Sequence, residues 1–288
     1  MINGIIKHKE VVNRMEESTS KGPMHFALLD QVQKLNQKCP THHIPMIRLP
    51  GKEPFCPECQ KEKIAQRNQK VTQDAETYWH RRKTTDVLSR DSIFDDPDLK
   101  TATFGTYDKA ASPEAETNWN MARKIAYDYL AGAKYNTLFT GLPGRGKSHL
   151  ALAMLKAINE NAKTPVSCLF VSINELMRLI KSSFDYPDSK YTEQNMVDLL
   201  GTVDFLVLDD LGSESSFQRA SREASEFTQN VLFGVLNRRN RTIVTTNLNS
   251  RELSAIYNPK LLSRIEKGIK GHIVKFTEVT PDRRSVEF

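Results

Sequence analysis

Residues 141 to 148, Gly141-Leu-Pro-Gly-Arg-Gly146-Lys147-Ser148, set three glycines, a lysine and a hydroxyl in the spacing G-x-x-x-x-G-K-S. Each residue type has a chemical use against phosphate. Glycines let the backbone pass close to phosphate oxygens and turn N–H groups towards them. Lys147 can reach the β- and γ-phosphates of a nucleotide, and Ser148 can hold Mg²⁺ through its hydroxyl. A second group stands at Asp209-Asp210, at the end of the apolar run Phe205-Leu-Val-Leu208. Asp209 is expected to coordinate the Mg²⁺, and Asp210 to orient or deprotonate an attacking water. Asn247 closes the run Thr242-Ile-Val-Thr-Thr246 and could hold the same water.

A third group has different chemistry. Cys39-Pro-Thr-His42 is followed, after 13 residues, by Cys56-Pro-Glu-Cys59. Two ligands three positions apart on a tight turn can face one ion, and Cys₃His satisfies tetrahedral Zn²⁺ with no open position left for catalysis. His43 rivals His42, but the spacing of Cys56 and Cys59 favours His42. Buried free thiols or a redox pair at Cys56/Cys59 are the plainer alternatives.

These groups need elements to place them. Asn136–Thr140 reads as a short buried strand, and His149–Ile158 as a helix whose N-terminus adds positive potential at the phosphate loop. Val166–Ile173, Val203–Leu208, Arg241–Asn247 and Gly271–Phe276 read as further strands. Helices are expected at Glu175–Ser183 (capped by Asn174), Glu193–Leu200, Arg219–Arg239, Leu253–Tyr257 and Pro259–Lys267. Ser112-Pro113-Glu114 opens another, to about Ala131. Strands alternating with helices give an α/β fold with a parallel sheet, and ligands bind at the carboxyl edge of such sheets.

Upstream, Ile5 to Met15 and Phe26 to Leu35 suggest two short amphipathic helices. Lys61–Arg90 is charge-dense and reads as an exposed helix. Its Tyr78-Trp79-His80-Arg81-Arg82-Lys83 could meet nucleic acid or simply be solvated. Asp95-Asp96-Pro97-Asp98 is turn-rich, and the domain boundary is placed at 90/91. This gives an N-terminal zinc-binding domain with a helical linker (1–90) and a nucleotide-binding domain (91–288).

The 288 residues carry 39% hydrophobic and 26% charged side chains. No apolar run is long enough to span a membrane, and the N-terminus lacks a signal peptide's apolar core, so a cytoplasmic protein is expected. The net charge of +6 permits nucleic-acid binding without showing it.

Gly141-x-Pro-Gly-x-Gly-Lys-Ser-His149-Leu150-Ala151, Leu206-Val-Leu-Asp-Asp-Leu-Gly212, Thr242-Ile-Val-Thr-Thr-Asn247 and Leu261-Leu-Ser-Arg264-Ile together resemble the AAA+ ATPases that load replicative helicases in bacteria and their phages. They are also similar to the transposition helper ATPases of insertion sequences. The resemblance covers about residues 100–288. It implies ATP as the nucleotide, held by Gly141, Pro143, Gly144, Arg145, Gly146, Lys147, Ser148 and His149. Lys147, Asp209, Asp210, Asn247 (as sensor 1) and Arg264 form the catalytic set. Arg264 would be an arginine finger acting on a neighbouring subunit, its plainer alternative being a helix-surface arginine. Arg283 or Arg284 falls near sensor 2, and Arg284 is counted with the nucleotide contacts. Some helicase loaders carry an N-terminal zinc domain that docks on the helicase. The resemblance therefore implies a loader whose partners are a hexameric replicative helicase, single-stranded DNA and further copies of itself. Arg178, Lys181, Lys190 and Tyr191 are candidate DNA contacts. A transposition helper and a non-hydrolysing, ATP-gated adaptor stand as alternatives.

Overall fold

A computed structural model describes residues 31–213 and 224–283. The expected stretches Ile5–Met15 and Phe26–Leu29, and Arg284, lie outside the described residues. The chain divides into two compact units, Met1–Glu76 and Thr77–Phe288.

In the first unit, β1 (Gln33–Lys38) and β2 (Pro45–Arg48) pair antiparallel. Val32 and Leu35 were expected on a helix, but residues 33–38 form a strand. Leu35 is the lone apolar side chain in QKLNQK, so the strand rests on pairing with β2 and on the turn that follows, not on an apolar stripe. That turn places Cys39 N–H on the Ile44 carbonyl (2.9 Å) and His43 N–H on the Cys39 carbonyl (2.9 Å). Helix α1 (Pro57–Lys83) starts with proline at its first position, buries none of its residues, and continues through the division into the second unit.

Helix α2 (Val87–Asp91), just ahead of the boundary expected at 90/91, buries Val87 and Leu88 in the cores of the second unit. Five parallel strands follow: β3 (Thr137–Gly141), β4 (Cys168–Ser172), β5 (Phe205–Leu211), β6 (Thr242–Thr246) and β7 (Ile273–Phe276). Their order in the sheet is β4-β5-β6-β3-β7. Successive strand residues face opposite sides of the sheet. Phe139, Phe170, Val207, Ile243 and Phe276 face one core, built with α3 (Pro113–Leu130) and α4 (Lys147–Asn161). Leu138, Leu169, Val171, Leu206, Leu208 and Val244 face the other. That core is built with α5 (Ile173–Ser182), α6 (Glu193–Thr202), α7 (Glu226–Leu236), α8 (Ser250–Ile256) and α9 (Pro259–Ile265).

Two helix starts differ from expectation. Helix α5 begins one residue before Asn174, which sits inside its first turn and donates to Ser213 Oγ (2.6 Å) instead of capping. Helix α7 begins at Glu226 with Ser225 as its cap, and residues 219–223 of the expected longer helix lie outside the described residues.

Candidate functional site

The phosphate loop leaves β3 at the carboxyl edge of the sheet and enters α4 at Lys147. Its glycines answer to two close approaches. Gly141 has φ 134°, and a Cβ there would lie 1.8 Å from the Phe276 carbonyl oxygen on β7. Gly144 has φ 72°, and a Cβ there would lie 1.9 Å from Asp282 Oδ1. At Gly141 the near atoms are fixed backbone, so only glycine fits both the conformation and the space, while at Gly144 the positive φ favours glycine and a side chain would displace Asp282.

A cleft of about 280 Å³ opens over this loop. Pro143 to His149, Asp209, Asp210, Thr245 and Asn247 line it. The structure thus brings together the two sequence motifs and Asn247. Lys147 Nζ donates to the carbonyls of Gly141 (2.8 Å) and Leu142 (2.6 Å).

Asp209 and Asp210 owe their different directions to a bulge. Between the pairs Leu208↔Val244 and Leu211↔Thr246, two residues of β5 oppose one residue of β6. That one residue, Thr245, serves both acids. Its Oγ1 donates to Asp209 Oδ1 (2.6 Å) and accepts the Asp210 N–H (2.9 Å). Asp210 sits at φ 59°, a left-handed conformation that Asp and Asn tolerate better than most residues. Asn247 Nδ2 donates to its Oδ1 (2.8 Å).

Asp209 is buried, and burial pushes its carboxyl up to about 6 despite hydrogen bonds from Thr245 and Ser148. The Ser148 hydroxyl and the Asp209 carboxylate are hard oxygen donors in hydrogen-bonding contact, a set that suits Mg²⁺ once the acid is ionised.

Other expected nucleotide contacts are partly engaged elsewhere. His149 Nε2 is 2.9 Å from the Thr103 carbonyl and 3.1 Å from Thr106 Oγ1, and its ring meets Tyr107 edge-on at 5.4 Å. Burial lowers its pKa, which favours the neutral ring. Arg145 donates through Nη1 to the Thr280 carbonyl. Arg283 lines the cleft, with its guanidinium 4.2 Å from the Tyr107 ring centre and its backbone N–H on the Gly144 carbonyl (3.1 Å). Sequence reasoning missed Thr245, which joins the acids only through the bulge. It also missed Asp95, Asp96 and Asp98, which line the cleft from a stretch that read as a turn.

Arg264 is not among the residues lining this cleft. It lies on α9, its guanidinium 5.9 Å from the Phe233 ring centre. Several of the candidate DNA contacts are engaged within the chain, and the Tyr191 carbonyl accepts from Ser183 Oγ (3.0 Å) at the end of α5. Arg178 is paired with Glu175 (Nε–Oε2 2.7 Å), and Lys190 lies over the Tyr191 ring at 4.7 Å. Phe184 and Tyr186 in the same loop are exposed.

In the first unit, donor atoms of Cys39, His42, Cys56 and Cys59 lie within 4.8 Å of one another. His42 Nδ1 is 3.3 Å from Cys59 Sγ and 3.7 Å from Cys56 Sγ, and Cys39 Sγ is 3.6 Å from Cys59 Sγ. Donors about 2.0–2.3 Å from a tetrahedral centre stand roughly 3.5–3.8 Å apart, so this Cys₃His cluster is consistent with a zinc site. Glu62, which sequence reasoning missed, meets His42 Nε2 at 3.0 Å. A carboxylate there fixes the ring so that Nδ1 faces the thiols. Hydrogen bonds to Cys39 and Glu62 hold His42 up at about 9. His43, at φ 56°, is not one of its four members.

Residues 73–267 match the family model described as IstB-like ATP binding protein. Over 135 residues the chain is 29% identical to the replicative helicase loader DnaC of Buchnera aphidicola subsp. Baizongia pistaciae (strain Bp). The match covers 46% of this chain and 50% of that protein. It is 26% identical over 135 residues to the replicative helicase loader DnaC of Escherichia coli (strain K12), with the same coverage. The chain thus spans about half the length of the curated relatives it matches. A crystal structure of the DnaC helicase loader superposes with a TM-score of 0.50 at 21% identity, covering 63% of this chain and 99% of that one, which is a likeness of fold.

Proposed function

The chain belongs to the IstB-like ATP binding protein family and has the AAA+ fold, and we propose that it hydrolyses ATP to load a hexameric replicative helicase onto single-stranded DNA. The observation that carries the ATPase reading is the convergence of Lys147, Ser148, Asp209, Asp210 and Asn247 on one cleft at the carboxyl edge of the sheet. The loader reading is supported by the two DnaC relatives and by the Cys₃His cluster ahead of the ATPase core.

In this reading the backbone N–H groups of residues 144–148 and the N-terminus of α4 receive the β-phosphate. Lys147 leaves its two loop carbonyls for the β- and γ-phosphates. Ser148 and Asp209 would hold Mg²⁺, which neutralises phosphate charge. Asp210 takes a proton from the attacking water, and Asn247 keeps its carboxylate aimed. Arg264 completes the site of a neighbouring copy. Its place supports that assignment: the Arg264 carbonyl is bonded to Asn136, which precedes β3, while the phosphate loop follows β3 at the other end. Cys39, His42, Cys56 and Cys59 would hold Zn²⁺ and organise the surface offered to the helicase.

Hydrolysis measured with and without single-stranded DNA, and a pull-down against replicative helicases with and without ATP, test this together. Helicase capture and DNA-stimulated turnover are expected. Capture without turnover would make the chain an ATP-gated adaptor, and turnover with no helicase capture would favour a transposition helper. Among the described residues no helix is long and apolar enough to cross a membrane.

A further inference from the structure

We propose that Asn136 is a positioning residue for Arg264, acting from the far end of the strand that carries the phosphate loop. This rests on the reading of Arg264 as a residue that completes a neighbouring subunit's site.

Asn136 is 2% exposed and sits one residue before β3. Its amide is fully engaged. Nδ2 donates to the carbonyls of Arg264 (2.8 Å) and Ile265 (3.2 Å), and Oδ1 accepts the Thr242 N–H (3.0 Å). Its backbone N–H bonds the Lys267 carbonyl (3.1 Å). The last carbonyls of a helix have no partner within the helix. Helix α9 has seven residues, and Arg264 is in its final turn. Asn136 therefore ties down the backbone of Arg264 and of its neighbour.

The other end of α9 is held as well. Asn258 caps it through Leu261 N–H (2.9 Å), and Gln229 Oε1 on α7 accepts from Asn258 N (2.9 Å) and Nδ2 (2.7 Å). The Arg264 side chain has no comparable anchor: its Nε is buried without a hydrogen-bond partner, and its guanidinium rests near Phe233. The helix is pinned and the arginine is left available.

Neither Asn136 nor Arg264 lines the cleft of its own chain. At roughly 3.3 Å per residue, Asn136 and Gly141 stand about 16 Å apart along β3. Asn136 thus cannot touch the nucleotide its own chain binds. A shift of about 1 Å in a group that must meet a transferring phosphoryl costs on the order of a hundredfold in rate. Fixing the Arg264 carbonyl to the rigid central sheet prevents such a shift at the subunit boundary.

A buried asparagine that merely stabilises the sheet would behave differently, and Asn136→Asp separates the two. It keeps size and the acceptor for Thr242 but sets a carboxylate against two carbonyls. Asn136→Ser, small and uncharged, serves if Asn136→Asp does not fold. The expected result is ATP affinity within about twofold of the parent, KM little changed, and DNA-stimulated kcat down about ten- to a hundredfold. In a double-mutant cycle, adding the Asn136 change to Arg264→Ala should cost no further activity, since both act through one group. Multiplicative losses in the cycle, or an ATP affinity that falls with kcat, would overturn the proposal. Mixing each single mutant with Lys147→Ala tests the reading beneath it: a chain with an intact phosphate loop should regain turnover beside one with an intact Arg264. If Arg264→Ala is not rescued, action across subunits fails, while the cycle still decides whether Asn136 works through Arg264.

Discussion

Asn247 Nδ2 donates a 2.8 Å hydrogen bond to Oδ1 of Asp210, whose backbone is held at φ 59° by the Thr245 hydroxyl on its N–H. The carboxylate is oriented from the side chain and from the backbone, each time by a residue of β6 or its end. Asp210→Asn keeps a residue that accepts the left-handed conformation, so the fold should stand. Losing a general base lowers turnover by about 10²–10⁴. Asn247→Ala should lower kcat in the same direction and leave ATP affinity unchanged. Steady-state hydrolysis beside a nucleotide titration checks both, and parental turnover in Asp210→Asn would remove Asp210 from the chemistry.

Lys147→Ala should abolish tight ATP binding without unfolding the chain. The ammonium bonds two carbonyls of its own loop, so the fold loses little when it goes. A hydrogen bond to a charged group contributes about 1.5–3 kcal/mol, or roughly ten- to a hundredfold in affinity. Thermal melting should be near parental while titration shows the weakened site. Parental affinity would mean that ATP binds elsewhere.

About one zinc per chain is expected, and Cys56→Ser should lose it while ATP affinity survives. Glu62→Gln gives the sharper reading, because Glu62 touches His42 but is not itself a member of the four-residue cluster. Removing such a carboxylate weakens metal binding about 10–100-fold. Chelator competition measures it, with nucleotide titration as the control. Zinc absent from freshly purified protein would refute the site.

What the sequence made legible was local. The phosphate loop, the Asp209-Asp210 pair and the doubled Cys-Pro units announce themselves by residue type and short spacing. Thr245 does not, because its place between two acids follows from a register shift between strands far apart in the chain. Glu62 was hidden in a charge-dense helix, where only the turn of α1 brings it to His42. Arg283 and Arg284 are indistinguishable as a pair in the sequence, and the bond between the Arg283 backbone N–H and the Gly144 carbonyl joins residues 139 positions apart that no local pattern links. Strand β1 was misread because one leucine among polar residues fits either periodicity. Val87 and Leu88, ordinary in sequence, are buried, and nothing in their residue types sets them apart from the exposed helix before them.

Asp209 makes a prediction about stability and pH. Burial raises its carboxyl from the ordinary 3.8 to about 6, with Asp210 adding to the rise and Thr245, Ser148 and Lys147 opposing it. Between those values the folded chain holds a proton that the unfolded chain has released. The contribution of this group to stability is therefore greatest below about pH 4, falls as pH rises through the window, and is constant above it. A shift of about two pKa units corresponds to a few kcal/mol. Asp209→Asn, neutral at every pH, escapes that loss. In buffer free of nucleotide and magnesium its melting temperature should exceed the parent's by several degrees at pH 7.5, with a smaller gap at pH 5. Adding Mg-ATP should narrow the gap at pH 7.5, because only the parent offers the cation a carboxylate at position 209. A difference that does not change with pH would mean that the burial of this charge is not what separates the two proteins.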